Sequence, residues 1–244
     1  MTEIPSTPAP SEPAEGSSPA PAPWQYRTPY PILFEDGEAL VIDKPAGLPL
    51  DRPRAGGESL VDHLDQFKLG FQRAPAPVHR LDRDTSGCLL LARNPKALKR
   101  FSAAFEAREV EKRYLGIVAG LLEAGAGTIE LALSKISSAE AGWRMIPARK
   151  GKPAVTHWRR LAVIGELTLV EFRPETGRTH QIRIHALAGL GAPLLGDPIY
   201  GPGTGAARTM LHAAGITVQR GDKPPIVAAA PMPADFVAKG FDDG

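Results

Sequence analysis

The chain has 244 residues and a mass of 26.0 kDa, the size of one large domain or two small ones. Hydrophobic residues at 43% and charged residues at 23% are an ordinary globular mixture, enough to build a core without staples. The single cysteine, Cys88, excludes an intramolecular disulfide framework and favours a reducing compartment. No apolar run approaches the ~20 residues needed to span a bilayer, and the N-terminus lacks the basic start and apolar core of a secretory signal. The expected location is the cytoplasm.

Residues 1–23 are dominated by Pro, Ala, Ser and Glu, and carry Glu3, Glu12 and Glu15 with no Lys or Arg. Such a segment buries too little apolar surface to offset the entropy of ordering it. It reads as a disordered tail, with the folded body beginning near Trp24. The net charge is +2, so a tail of −3 leaves +5 on the body. That is compatible with a polyanionic partner and does not demand one.

The body opens with two short apolar runs, Ile32 to Phe34 and Ala39 to Asp43, flanking the turn pair Asp36-Gly37, which predicts a hairpin. Ser59-Leu60-Val61-Asp62 has the form of a capping box. It precedes Leu60, Val61, Leu64 and Phe67 at helical spacing, with Gly70 as the stop. Cys88 to Ala92 reads as a buried strand. Asn94-Pro95 starts a helix through about Ala107, with Leu98, Phe101 and Phe105 inward and Lys96, Lys99 and Arg100 outward. Tyr114 to Val118 is a strand. The Gly-, Ser- and Lys-rich middle, 125–152, holds loops and short strands. Thr156 to Ile164 and Leu167 to Arg173 are strands joined at Gly165-Glu166, and a helix runs from near Thr179 to Gly189. Strands connected by hairpins, without a βαβ period, predict an α+β fold with a mainly antiparallel sheet.

Nucleotide-binding glycine loops, HExxH and CxxC are absent, and the six histidines show no metal spacing. Cys88 opens an apolar run and reads as a core residue. The densest polar constellation is His79-Arg80-Leu81-Asp82-Arg83-Asp84-Thr85-Ser86-Gly87. If extended, it points Arg80, Asp82 and Asp84 one way and His79, Leu81 and Arg83 the other. A carboxylate among guanidinium groups is a plausible nucleophile or base, yet spacing does not choose between Asp82 and Asp84. The same residues would also suit a surface turn laced with ion pairs. A second cluster, Arg178-Thr179-His180-Gln181-Ile182-Arg183, brings Thr179, His180 and Arg183 within one helical turn, where an anion is welcome. Tyr114 is a candidate stacking surface.

Taken together, VIDKPAGLPLD (42–51), HRLDRDTSGCLLLAR (79–93), KRYLGIVAG (112–120), TGRTHQIRIH (176–185), GAPLLGDPIYG (191–201) and LHA (211–213) resemble the RluA-type RNA pseudouridine synthases. The motifs stand in the family's order and cover most of residues 30–235. The resemblance implies a catalytic domain over 24–244 that isomerises uridine to pseudouridine, with neither cofactor nor metal. It selects Asp82 as the catalytic residue, with Arg183 pairing with it and aiming it. It implies that Tyr114 packs on the target base and assists proton removal from C5, and that Arg80 fills the space left by the flipped nucleotide. His79, Arg178 and His180, polar residues of the same two motifs, are expected substrate contacts. Lys96, Lys99, Arg100, Arg144, Arg149, Lys150 and Lys152 are candidates for phosphate contacts.

The implied partner is structured RNA, either 23S rRNA or a tRNA stem-loop, read by the catalytic domain itself since only the low-complexity tail stands where many members carry an S4 module. No obligate protein partner is expected, and the chain reads as a monomer. Competing readings are a non-catalytic RNA-binding protein on the same fold and a hydrolase using Asp82 with Asp84.

Overall fold

A computed structural model describes residues 28–138 and 142–242; the expected tail over 1–23 lies outside them. The first hairpin forms as the turn pair predicts. Strands β1 (Ile32–Glu35) and β2 (Ala39–Lys44) pair antiparallel. Asp36 closes the turn, its Oδ1 accepting the N–H groups of Glu38 and Ala39, each at 2.8 Å. The short β3 (Ala76–Pro77) and the long β4 (Ser86–Ala92) follow. Next come β5 (Val110–Ala119), β6 (Ala126–Glu130), and a separate hairpin of β7 (Leu133–Ser138) with β8 (Gly142–Pro147). Then β9 (Val155–Ile164), β10 (Leu167–Pro174), β11 (Leu211–Arg220) and β12 (Lys223–Ala229) complete the set.

Ten of these strands share one sheet in the order β1-β2-β4-β11-β5-β10-β9-β6, with β3 added to β4 and β12 to β11. All its strand pairs are antiparallel except β4 with β11. The mixed α+β class with a mainly antiparallel sheet therefore stands.

The unbroken apolar run of β4 follows from its position, because both of its faces are covered. Cys88, Leu90 and Ala92 pack with β2 and with Ala97 and Phe101 of helix α1 (Pro95–Glu106). Leu89 and Leu91 face the other way, onto Leu60, Phe67 and Leu81. Each fully buried leucine is worth about 2 kcal/mol. Helix α1 starts as its sequence demands: Asn94 Oδ1 accepts the Ala97 N–H at 2.9 Å, and Pro95 takes the first helical position.

Two helical expectations change. Residues 59–70 hold not an α-helix but two 3-10 turns, Leu60–Asp62 and Leu64–Phe67, separated at His63. Ser59 still donates both N–H (3.0 Å) and Oγ–H (2.6 Å) to Asp62 Oδ2, so the box closes without a helix to follow it. The helix expected from Thr179 begins at Gln181 instead. His180 adopts a left-handed backbone (φ 53°), α2 (Gln181–Ile184) lasts one turn, and a π-turn over His185–Gly189 finishes the segment. A third short helix, α3 (Ala234–Val237), lies near the C-terminus. Among the described residues no helix is long and apolar enough to cross a membrane.

The parallel seam between β4 and β11 aligns Gly87 with Ala213. Gly87 has φ +103°, and a Cβ there would sit 2.3 Å from the Ala213 carbonyl oxygen. Gly87→Ala therefore combines a backbone conflict with a clash against backbone. It lowers stability by more than about 2 kcal/mol, read as a shift in the urea midpoint at unchanged slope.

Candidate active site

The segment leading to Asp82 is anchored by Leu81, which is buried among the 3-10 turns and β4. The chain then turns, with the Thr85 N–H on the Asp82 carbonyl at 3.1 Å. The alternation expected over Arg80–Asp84 therefore does not form. Arg80 lies at the exposed rim and pairs with Asp51 at 3.3 Å, whereas Asp82 turns inward.

Three neighbours fix this turn through its main chain. The buried Lys44 donates to the carbonyls of Pro45 (2.7 Å), Leu48 (2.9 Å) and Arg83 (3.1 Å). All three ammonium protons are thus used, although burial pushes this lysine down to about 8. Gly47 exchanges hydrogen bonds with Arg83, its N–H to the Arg83 carbonyl and Arg83 Nε back to its own, both at 3.0 Å. Arg208 donates to the Asp84 carbonyl at 2.9 Å while its other nitrogens grip Asp235 at 2.6 and 3.0 Å.

The facing wall is the 176–185 segment. Gln181, buried, fastens it to β9: its Nε2 donates to the Val155 carbonyl and to Thr156 Oγ1, both at 2.9 Å. Its Oε1 accepts from Thr176 Oγ1 (2.7 Å) and the Arg178 N–H (3.0 Å). One helical turn then delivers Arg183 into the interior. Its Nε and Nη2 form a two-pronged pair with Asp197, each at 2.7 Å, and its remaining Nη1 reaches Asp82 Oδ2 at 3.5 Å. Asp197 is wholly buried and also accepts the N–H groups of Ile199 (2.9 Å) and Tyr200 (3.0 Å).

The guanidinium is thus divided between two carboxylates, one structural and one facing the cleft. Burial pushes the Asp197 carboxyl up, but Arg183 and the two N–H groups outweigh it and hold the group below its ordinary value. Burial likewise opposes the Arg183 charge, and the two aspartates more than restore it. Because Asp197 carries the close contacts, Asp82 keeps unshared lone pairs and 31% side-chain exposure. That is the condition of a usable nucleophile.

His180 sits beside it, Nε2 3.9 Å from Asp82 Oδ2 and Nδ1 2.9 Å from the Tyr200 hydroxyl. Its ring contacts those of Trp143 and Tyr200 at 5.0 and 5.5 Å. Burial outweighs the pull of Asp82 and lowers this histidine, which favours the neutral ring. Tyr114 lies across the cleft, its phenol raised by burial and then by the Asp82 charge. The neutral phenol is favoured, a flat stacking surface with one donor.

His79 lies in the wall with its Nε2 accepting the Leu90 N–H at 3.1 Å and its ring stacked on Phe105 at 4.7 Å. Burial pushes it down to about 4, and His185, wholly buried, is pushed to the same value by the same cause. Both are neutral when folded and take up protons near 6.5 when unfolded. Their stabilisation is complete above that pH and is lost as pH falls toward 4. Between pH 7.5 and 5 each contributes a loss of about 2 kcal/mol. Urea midpoints should fall over this range, and His185→Leu should flatten the fall.

The resulting cleft has a volume of about 650 Å³ and brings Asp82, Tyr114, Trp143, Arg178, His180 and Arg183 to one surface. Every site residue expected from sequence lines it, including His79 and Arg80 at its wall and rim. The expected gathering of donors around an anion occurs in altered form: His180 and Arg183 converge on Asp82, with the helix starting beyond Thr179. Of the basic residues expected on phosphates, Lys96, Lys99, Arg144, Arg149, Lys150 and Lys152 are exposed away from the cleft lining, and Arg100 is tied to Glu38 at 2.6 Å. Asp197, Tyr200, Trp143 and Lys112 were not singled out by sequence. The first two stand inside the GDPIYG stretch, where an aspartate before proline reads as a turn residue.

Similarity to known proteins agrees with this geometry. A family model described as RNA pseudouridylate synthase matches residues 38–188. A relative from Zymomonas mobilis subsp. mobilis, named an uncharacterized RNA pseudouridine synthase, is 53% identical over 212 residues, covering 86% of this chain and 97% of its own. Ribosomal large subunit pseudouridine synthase D of Xanthomonas campestris pv. campestris is 37% identical over 229 residues, covering 85% of this chain and 67% of its own. The solved structure of human RNA pseudouridylate synthase domain containing 4 aligns with a TM-score of 0.71 at 25% identity, covering 85% of this chain and 90% of that one. A family match over more than half of the residues and a relative alike along nearly its whole length give one conclusion: the chain belongs to the RNA pseudouridylate synthase family.

Proposed function

We propose that Asp82 is the nucleophile with which this chain, as an RNA pseudouridine synthase, isomerises uridine to pseudouridine. The observation that carries this reading is the Asp82 carboxylate open to the cleft, with the third nitrogen of an otherwise committed Arg183 at 3.5 Å. The N1–C1′ bond of the uridine breaks, the uracil turns within the cleft, and C5 bonds to C1′. The C5 hydrogen leaves and N1 gains a proton, so the composition is unchanged. Asp82 adds to the substrate and is expelled in the last step. Arg183 aims it, the Tyr114 ring supports the base, and His180 and Arg178 contact the nucleotide. Reaching C1′ requires the uridine to leave its stack, at a cost of a few kcal/mol that is least in loops. Arg80, exposed at the rim, suits the space the flipped nucleotide vacates.

The substrate class favoured is a large-subunit rRNA stem-loop, supported by the names of relatives such as ribosomal large subunit pseudouridine synthase D; a tRNA stem-loop is the alternative. We read the chain as a cytoplasmic monomer, the location supported by relatives named for the ribosomal large subunit. Tritium release from transcripts labelled at uridine C5 tests the activity, the substrate class and the role of Asp82, with 23S rRNA and tRNA assayed separately. Release from one transcript by wild type and none by an Asp82 variant is expected. Free uracil accumulating in place of an isomer would replace the reading with hydrolysis.

A further inference from the structure

Lys112 sits on β5 two residues before Tyr114, so both side chains project from the same face of the strand into the cleft. It is half-buried and has no carboxylate partner among the described residues. Its Nζ meets only the carbonyl of Glu175, at 3.4 Å. The Glu175 carboxylate is turned to His157 at 2.7 Å. Of the other cleft cations, Arg183 is answered by Asp197 and Asp82 and Arg80 by Asp51, while Arg83 and Arg178 are each tied to a backbone carbonyl at a shorter distance than Lys112, Gly47 at 3.0 Å and Pro153 at 3.2 Å. An ammonium held in a wall without a counter-charge is costly unless a ligand supplies one.

We propose that Lys112 binds a backbone phosphate of the RNA beside the uridine held against Tyr114. The assignment rests on the pseudouridine synthase reading and names a contact within it. Two residues along a strand span about 7 Å. That separates a surface for the base, at Tyr114, from a charge for the backbone, at Lys112. Burial, and then repulsion from Arg108, pushes the ammonium down to about 8, as suits a cation whose partner arrives with the substrate. A carbonyl at 3.4 Å is a weak restraint, so the side chain is free to turn to an incoming phosphate.

The test uses the full chain and the C5-labelled 23S rRNA and tRNA transcripts, with binding measured between 50 and 200 mM salt. Lys112→Met should weaken binding about tenfold and reduce the slope of log affinity against log salt by about 0.7 to 0.9, the release of one counterion. The loss should appear in KM rather than kcat, and Lys112→Arg should restore the slope. Lys112→Gln provides a second neutral variant if the methionine form misfolds. An unchanged slope in the neutral variants, with wild type active, overturns the assignment and leaves the enzyme reading standing. A slope lost equally in Lys112→Arg does the same. Wild type inactive on every transcript overturns both.

Discussion

Asp82→Asn is expected to abolish tritium release, lowering kcat by at least about 10⁴-fold, the scale on which removing a nucleophile acts. The fold survives because the amide is nearly isosteric, the side chain is 31% exposed, and its nearest partner is as far as 3.5 Å. RNA affinity holds or rises, since the substitution removes a negative charge that faces a polyanion. Single-turnover assays at saturating transcript, paired with filter binding, separate these effects. Turnover above about one per cent of wild type would remove Asp82 from the nucleophile's role, on the same scale.

Asp197→Asn produces the second large loss, in stability and activity together. Asp197 is wholly buried and supplies both close contacts to Arg183. Without its charge, a buried guanidinium keeps only the distant Asp82, a loss of about 3 kcal/mol. The freed guanidinium then closes on Asp82 and ties up the lone pairs that the native arrangement leaves open. Displacements of about 1 Å at a reacting group cost about 10²-fold, and kcat should fall by that amount even well below the urea midpoint. A stability loss with kcat unchanged would show that Arg183 aims Asp82 without help from Asp197.

The parts of this molecule that were legible in sequence are those decided locally. Asp36-Gly37 forms its hairpin because the aspartate caps its own turn, and Asn94-Pro95 starts α1 because the cap needs only residues three apart. Residues 59–70 do not announce their 3-10 turns, because the apolar spacing of Leu60, Leu64 and Phe67 suits consecutive 3-10 turns as well as an α-helix. The late start of α2 was invisible for a different reason. His180 carries a left-handed backbone that its residue type does not announce, held by contacts with Tyr200 and Trp143 from elsewhere in the chain. Asp82, Tyr114 and Arg183 were legible only through the resemblance, since spacing alone left Asp82 and Asp84 tied. Asp197 belongs to the site through a partner 14 residues away, and no local pattern marks that pairing. Lys112 is one lysine among many until the fold puts it beside Tyr114.

Lys44 and Gly47 precede the Asp82 turn, but two further clamps come from far along the chain: Arg208 on the Asp84 carbonyl, 124 residues on, and His212 on Ser86, 126 residues on. Contacts between such distant residues carry a large loop-closure cost and slow folding. Synthesis runs from the N-terminus, so a nascent chain exposes Asp82 with only Lys44 and Gly47 to hold its turn, long before Arg208 and His212 exist. A chain stopped short of Arg208 contains Asp82, Tyr114, Arg183 and Asp197 and still lacks the strand that seats Gly87. The site is therefore complete only once β11 has been made, and a nick between α2 and β11 weakens it while leaving Asp82, Tyr114 and Arg183 themselves intact.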